Sequence, residues 1–169
     1  CVSCHGASGN GDGPLALNLD PKPIAFTDRE RAATRSLMAL YQVVSQGVPG
    51  TSMPAFTALS DDDRWALAWY VGTMANGDAA RQRGAALWQR DARAKTAMAN
   101  LAELTTQTEE SLTASMGAND ARDLMAYLRS DSAALATANG GVALARAKLQ
   151  ESLAAARAGN TPEATRLGL

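Results

Sequence analysis

Two stretches in the first half of the chain carry apolar residues at helical spacing. In residues 36–46, Leu37, Leu40, Tyr41 and Val44 fall at i, i+3, i+4 and i+7 and so share one face, with Gly47 as a stop. The second stretch opens with Ser60-Asp61-Asp62-Asp63. Ser60 is a cap for the free N–H groups there, and the carboxylates sit at the positive end of the helix dipole. Leu67, Tyr70, Val71 and Met74 then form an expected buried stripe, ended by Asn76-Gly77; Trp65 and Trp69 lie on another face, read as packing residues. The rest of the chain reads as successive helices. A long amphipathic stretch covers 78–104, and Thr106 or Thr108 with Glu109 and Glu110 marks a new start that Gly117 ends. Asn119-Asp120 is the expected cap for 121–129, and Ser132 for a helix broken near Gly140-Gly141. Val142, Ala145, Leu149, Leu153 and Ala156 make a further stripe with Gly159 as its stop. Thr161-Pro162-Glu163 opens another helix a few residues before Leu169, which reads as truncation. No strand pattern appears, so the expected class is all-α.

Composition narrows this picture. Hydrophobic residues are 46% of the 169, but aromatics are only 5%, and much of the remainder is alanine. Alanine favours helix and buries little area, so thin-cored helices are expected. A net charge of -1 gives no electrostatic case for nucleic acid. No apolar run approaches the ~20 residues of a membrane span.

The chemistry is concentrated at the start. Cys1-Val2-Ser3-Cys4-His5 holds both cysteines and the only histidine of the chain. A zinc site needs four ligands, and no further Cys or His exists. A thioredoxin-type dithiol would want a βαβ setting. The C-x-x-C-H spacing instead fits covalent attachment of a haem c, each thiol adding to one vinyl group and His5 reaching the iron.

A second axial ligand is then needed, commonly methionine in electron carriers. Of the six methionines, Met38, Met74, Met98, Met116 and Met125 sit in or at the ends of helical patterns, where core filling is the plain explanation. Met53 lies in Gly47-Val48-Pro49-Gly50-Thr51-Ser52-Met53-Pro54-Ala55-Phe56, a Pro/Gly loop in which Pro54 favours an extended backbone at Met53. It is the candidate distal ligand; the competing reading leaves the sixth position open. The glycine-rich run 6–14 permits close backbone approach to a ring. Asp20-Pro21-Lys22-Pro23 keeps the chain extended. A carbonyl in this part of the chain is expected to accept the His5 ring N–H, and Pro14 is the assigned candidate.

Taken in order, Cys1-Val2-Ser3-Cys4-His5-Gly6, Gly11-Asp12-Gly13-Pro14, the Met53 loop and Leu59-Ser60 resemble the class I bacterial cytochrome c family over residues 1–77. The resemblance implies a small all-α domain, haem ligation by His5 and Met53, and one-electron transfer rather than enzymatic turnover. It also implies a periplasmic location, where haem of this kind is attached. The family has a helix leading into the first haem cysteine; it is expected to precede Cys1 in the natural protein.

Residues 78–169 are expected to form an antiparallel helical bundle. With the preceding domain they resemble the extramembrane part of cytochrome c/iron permease fusion proteins, through Leu101-Ala102-Glu103-Leu104, Ala126-Tyr127-Leu128-Arg129 and the run 149–159. The permease's Arg-Glu-x-x-Glu motif is absent from the chain. Glu103, Glu109, Glu110, Asp120 and Asp123 are candidate oxygen ligands for iron, but no spacing matches a metal constellation, and solvated faces and caps explain them. The leading reading is a redox module of an iron-uptake system, with a redox protein or iron as partner. The alternatives are the cytochrome c subunit of an oxidase or dehydrogenase, and a sensor or peroxidase-like haem with an open sixth position.

Overall fold

The computed structural model describes residues 1–138 together with 154, 157 and 158. The stripe from Val142 to Ala156, the Gly140-Gly141 break, the Gly159 stop and the Thr161 start lie outside or mostly outside these. The protein is all-helical, with no strand among the described residues. It divides into two compact units, Cys1–Ser132 and Ala133–Leu169. In the second, the described element is the helix Ala133–Ala138. No described helix is long and apolar enough to cross a membrane.

The first unit begins with a single turn, α1 (Val2–His5), and a 3-10 turn over Ala16–Asn18. An irregular segment leads to α2 (Arg29–Ala33), capped by the Asp28 side chain. Helices α3 (Leu37–Gln46) and α4 (Asp61–Thr73) follow, their starts fixed by Ser36 and Ser60, whose hydroxyls accept from Ala39 N and Asp63 N. The expected Ser60 cap and Gly47 stop therefore hold, whereas α4 ends at Thr73, with Met74 as its C-cap, before the expected Asn76-Gly77 stop. α3 packs on α4 around Leu37, Leu40 and Ala68, with Tyr41, Trp65, Trp69 and Val71 partly buried against them. Tyr41 stacks on Trp65 at 4.3 Å.

The stripe expected for α4 is corrected. Tyr70 is 63% exposed, and the buried positions are Ala68 and Gly72. The reason is close packing: a Cβ at Gly72 would stand 2.4 Å from Leu37 Cδ2. Small residues face α3, while Leu67 and Val71 turn to a cleft described below.

The long helix expected over 78–104 is also corrected. It is broken into α5 (Asp78–Arg90), α6 (Ala92–Ala97) and α7 (Leu101–Thr106). Asp91 ends one helix and starts the next, its carboxylate accepting from Arg93 N, and Asn100 caps the third. Such side chains compete with the backbone ladder and favour caps over helix interiors. Thr108 opens α8 (Glu109–Met116) in a reciprocal capping box with Ser111, and Gly117 closes it at φ 85°. Helix α9 (Ala118–Ser130) starts on Gly117 itself, so Asn119 and Asp120 lie in its first turn rather than capping it. α9 packs against α4, α5, α7 and α8. Met98, Met116 and Met125 are buried, as core filling predicts.

Candidate functional site

The first turn brings Cys1, Cys4 and His5 together. Cys4 N and His5 N both donate to the Cys1 carbonyl. The backbone then doubles back over this turn: Gly11 N donates to His5 O, Gly13 N to Cys4 O and Leu15 N to Ser3 O. That approach requires glycine, since a Cβ on Gly13 would lie 2.5 Å from Ser3 O. Both cysteines are free thiols.

His5 is buried, and its ring stacks on Phe26 at 4.3 Å between centroids. Nδ1 donates to the Ile24 carbonyl at 3.1 Å. This corrects the assignment of that role to Pro14. Pro14 lies in the segment folded back over the first turn, between Gly13 and Leu15, which bond Cys4 O and Ser3 O. The acceptor comes instead from the residue that follows the extended Pro21-Lys22-Pro23 run. Fixing Nδ1 as the donor leaves Nε2 as the nitrogen able to bind a metal.

A separate set of backbone and hydroxyl hydrogen bonds holds Met53. Gly47 ends α3 at φ 71°, and a Cβ there would stand 2.7 Å from both Met53 O and Ala55 N. Val48 N donates to Met53 O at 3.0 Å, Met53 N to Thr51 Oγ1 at 3.1 Å, and Thr51 Oγ1 to Val48 O at 2.8 Å. Phe56 N ties the outgoing strand of the loop to Val44 O. The loop is thus braced on both sides of Met53 and needs no regular structure of its own.

Cys1, Cys4, His5 and Met53 line one cleft of about 420 Å³. Its other walls are largely apolar, with Ile24, Val44, Phe56, Leu67 and Val71 among them, and Lys22, Arg31 and Arg35 contribute cationic groups. Pro14 does not line it, and Met53 is the one methionine that does. This size and balance suit a single cofactor-sized ligand. The wall residues Ile24, Phe26, Arg31 and Arg35 escape sequence reasoning. Their only signal is the apolar triplet Ile24-Ala25-Phe26 directly after the prolines.

Two of the five carboxylates considered as iron ligands, Glu109 and Asp123, are otherwise engaged. Glu109 is buried against Arg29 (2.6 Å) and Asn76 (3.1 Å), and Asp123 against Arg83 (2.5 Å) and Arg122 (2.8 Å). Burial pushes the Asp123 carboxyl up, but the hydrogen bonds and charges of Arg83 and Arg122 together hold it below the usual carboxylate value. Among the described residues no group of three or more His, Cys, Asp or Glu side chains is arranged to hold a metal.

Residues 1–75 match the family model for cytochrome c. No curated protein and no solved structure matches the chain. The N-terminal part of this all-helical protein is therefore similar to cytochrome c, a similarity that supports haem-based electron transfer. The residues present fit a haem: a largely apolar cleft lined by two free thiols, an imidazole and a thioether.

Proposed function

We propose that Cys1 and Cys4 bind a haem c through thioethers, that His5 and Met53 are its axial ligands, and that the domain carries single electrons between partners outside the cytoplasm. The observation that carries this reading is the lining of one cleft by all four side chains. Cys1 and Cys4 would hold the haem by adding their S–H groups across its two vinyl double bonds, an addition with no leaving group. Bound haem supplies a one-electron iron couple. The protein's own part is to hold the ligands and exclude water. Ile24 and Phe26 fix the His5 ring, the braced loop fixes Met53, and Val44, Phe56, Leu67 and Val71 keep the surroundings apolar. A thioether opposite an imidazole favours a carrier over an oxygen-binding haem, because it leaves no open position.

The location is read as periplasmic, because this type of attachment belongs there. The setting is read as iron uptake, from the resemblance of residues 78–169, taken with the preceding domain, to the extramembrane part of permease fusions. In that setting the electron passes to or from iron as it is taken up. Expression of the chain with a c-type haem maturation system tests the site. The expected product gains the mass of one haem and keeps it through denaturing electrophoresis. Cys4→Ala weakens that retention. A product that releases its haem on denaturation contradicts the thioether assignment.

A further inference from the structure

Arg31 and Arg35 line the cleft, and they also line a small cavity of about 20 Å³ beside it. Ile24 and Phe26 are common to both walls. A third guanidinium reaches that small cavity from outside the cytochrome c match. It is Arg129, near the end of α9. Arg129 is only 5% exposed. Its Nη2 donates to the Arg35 carbonyl at 2.9 Å, and its Nε is buried without a hydrogen-bond partner. The carboxylate whose charge it feels, Glu109, is already bonded to Arg29 and Asn76. Burial pushes the Arg129 pKa down to about 10, with Glu109 opposing and Arg29 adding to the effect, so the group stays charged at neutral pH. A buried cation with a neutral carbonyl partner is costly unless something is gained by it.

We propose that Arg129 is a positioning residue for the haem site that raises its reduction potential. The proposal rests on the haem reading given above. The guanidinium pins the Arg35 backbone and so holds a cationic wall of the cleft in place. Its charge, little screened by water, disfavours ferric haem, which carries one more positive charge than ferrous haem. The helical segment after residue 77 thereby sets the electron-accepting strength of the domain before it.

The experiment is spectroelectrochemical titration of holo-protein in three forms: native, Arg129→Met and Arg129→Lys. Arg129→Met is expected to shift the ferric/ferrous equilibrium toward ferric by about tenfold, a fall of about 59 mV for a one-electron couple. Arg129→Lys, which keeps the charge, is expected to regain most of that. An unchanged potential in folded Arg129→Met overturns the proposal. So does an equal fall in both variants, which would make charge irrelevant. If Arg129→Met does not fold, Glu109→Gln provides the test. Removing the opposing carboxylate is expected to raise the potential, and no change or a fall overturns the proposal. A native chain that takes up no haem defeats the haem reading itself, which is a distinguishable outcome.

Discussion

Gly84 is where α5 comes closest to α9, and replacing it with alanine gives a quantitative test of that packing. A Cβ built at Gly84 would lie 1.9 Å from Asp123 O, 2.6 Å from Asp123 C and 2.7 Å from Tyr127 Cβ. Ordinary contact begins at 3.4 Å, so the helices must part by roughly 1.5 Å at the crossing. The obstacle is backbone, which cannot swing aside as a side chain can. Overpacking of a dense interior costs about 1–3 kcal/mol, and a rigid backbone neighbour places this case near the top of that range. Against it, alanine gains about 1 kcal/mol over glycine in helix propensity. The net loss is about 2 kcal/mol. With an unfolding entropy of about 2.1 cal/mol/K per residue over Cys1–Ser132, that lowers Tm by about 7 °C. Thermal unfolding of native and Gly84→Ala holo-protein, followed by far-ultraviolet circular dichroism, measures it. A Tm equal to or above the native value would mean that propensity wins, and the described crossing of α5 and α9 would be refuted.

Two further outcomes follow from the geometry. Gly47→Ala forces a side chain into a positive φ with extended ψ, a region nearly confined to glycine, and against Met53 O and Ala55 N; the strain alone costs about 1–3 kcal/mol. The expected readout is a lower Tm together with partial loss of sulfur–iron absorption, and an unchanged spectrum would detach Gly47 from the loop's geometry. Asp123 titrates below the ordinary carboxylate value in the folded state because the pull of Arg83 and Arg122 exceeds the opposing effect of burial. A depressed folded pKa gives stability that is present above the unfolded value of about 3.9 and is lost as pH falls through the folded value. Asp123→Asn is expected to lower Tm at pH 7 and to flatten part of its decline below pH 4; an acid limb of native steepness would contradict this.

What can be read from the sequence divides by the range of the interaction. The helix starts at Ser36, Ser60 and Thr108 are legible because a cap and its target lie within three residues of each other. The same local logic at Asp91 and Asn100 is hidden inside an amphipathic pattern that runs on past both. The buried face of α4 is misjudged because the largest apolar residues take the cleft and exposed positions, whereas contact with α3 selects Ala68 and Gly72. At the site, Cys1, Cys4 and His5 are contiguous, and Met53 stands out by its Pro/Gly loop, so all four can be named without coordinates. Ile24 and Arg129 cannot. Their partners are 19 and 94 residues away, and the contacts use backbone carbonyls, which carry no residue-type signal.

The central claim is that His5 and Met53 face each other across one bound haem. Its most direct test is the absorption spectrum of holo-protein, oxidised and reduced, beside Met53→Ala. The account predicts a low-spin spectrum with a weak far-red sulfur–iron band in the oxidised native protein, and loss of that band in the variant. A high-spin spectrum that the substitution leaves unchanged and that added CO or peroxide alters would contradict it, and would mark the iron as open on its sixth side.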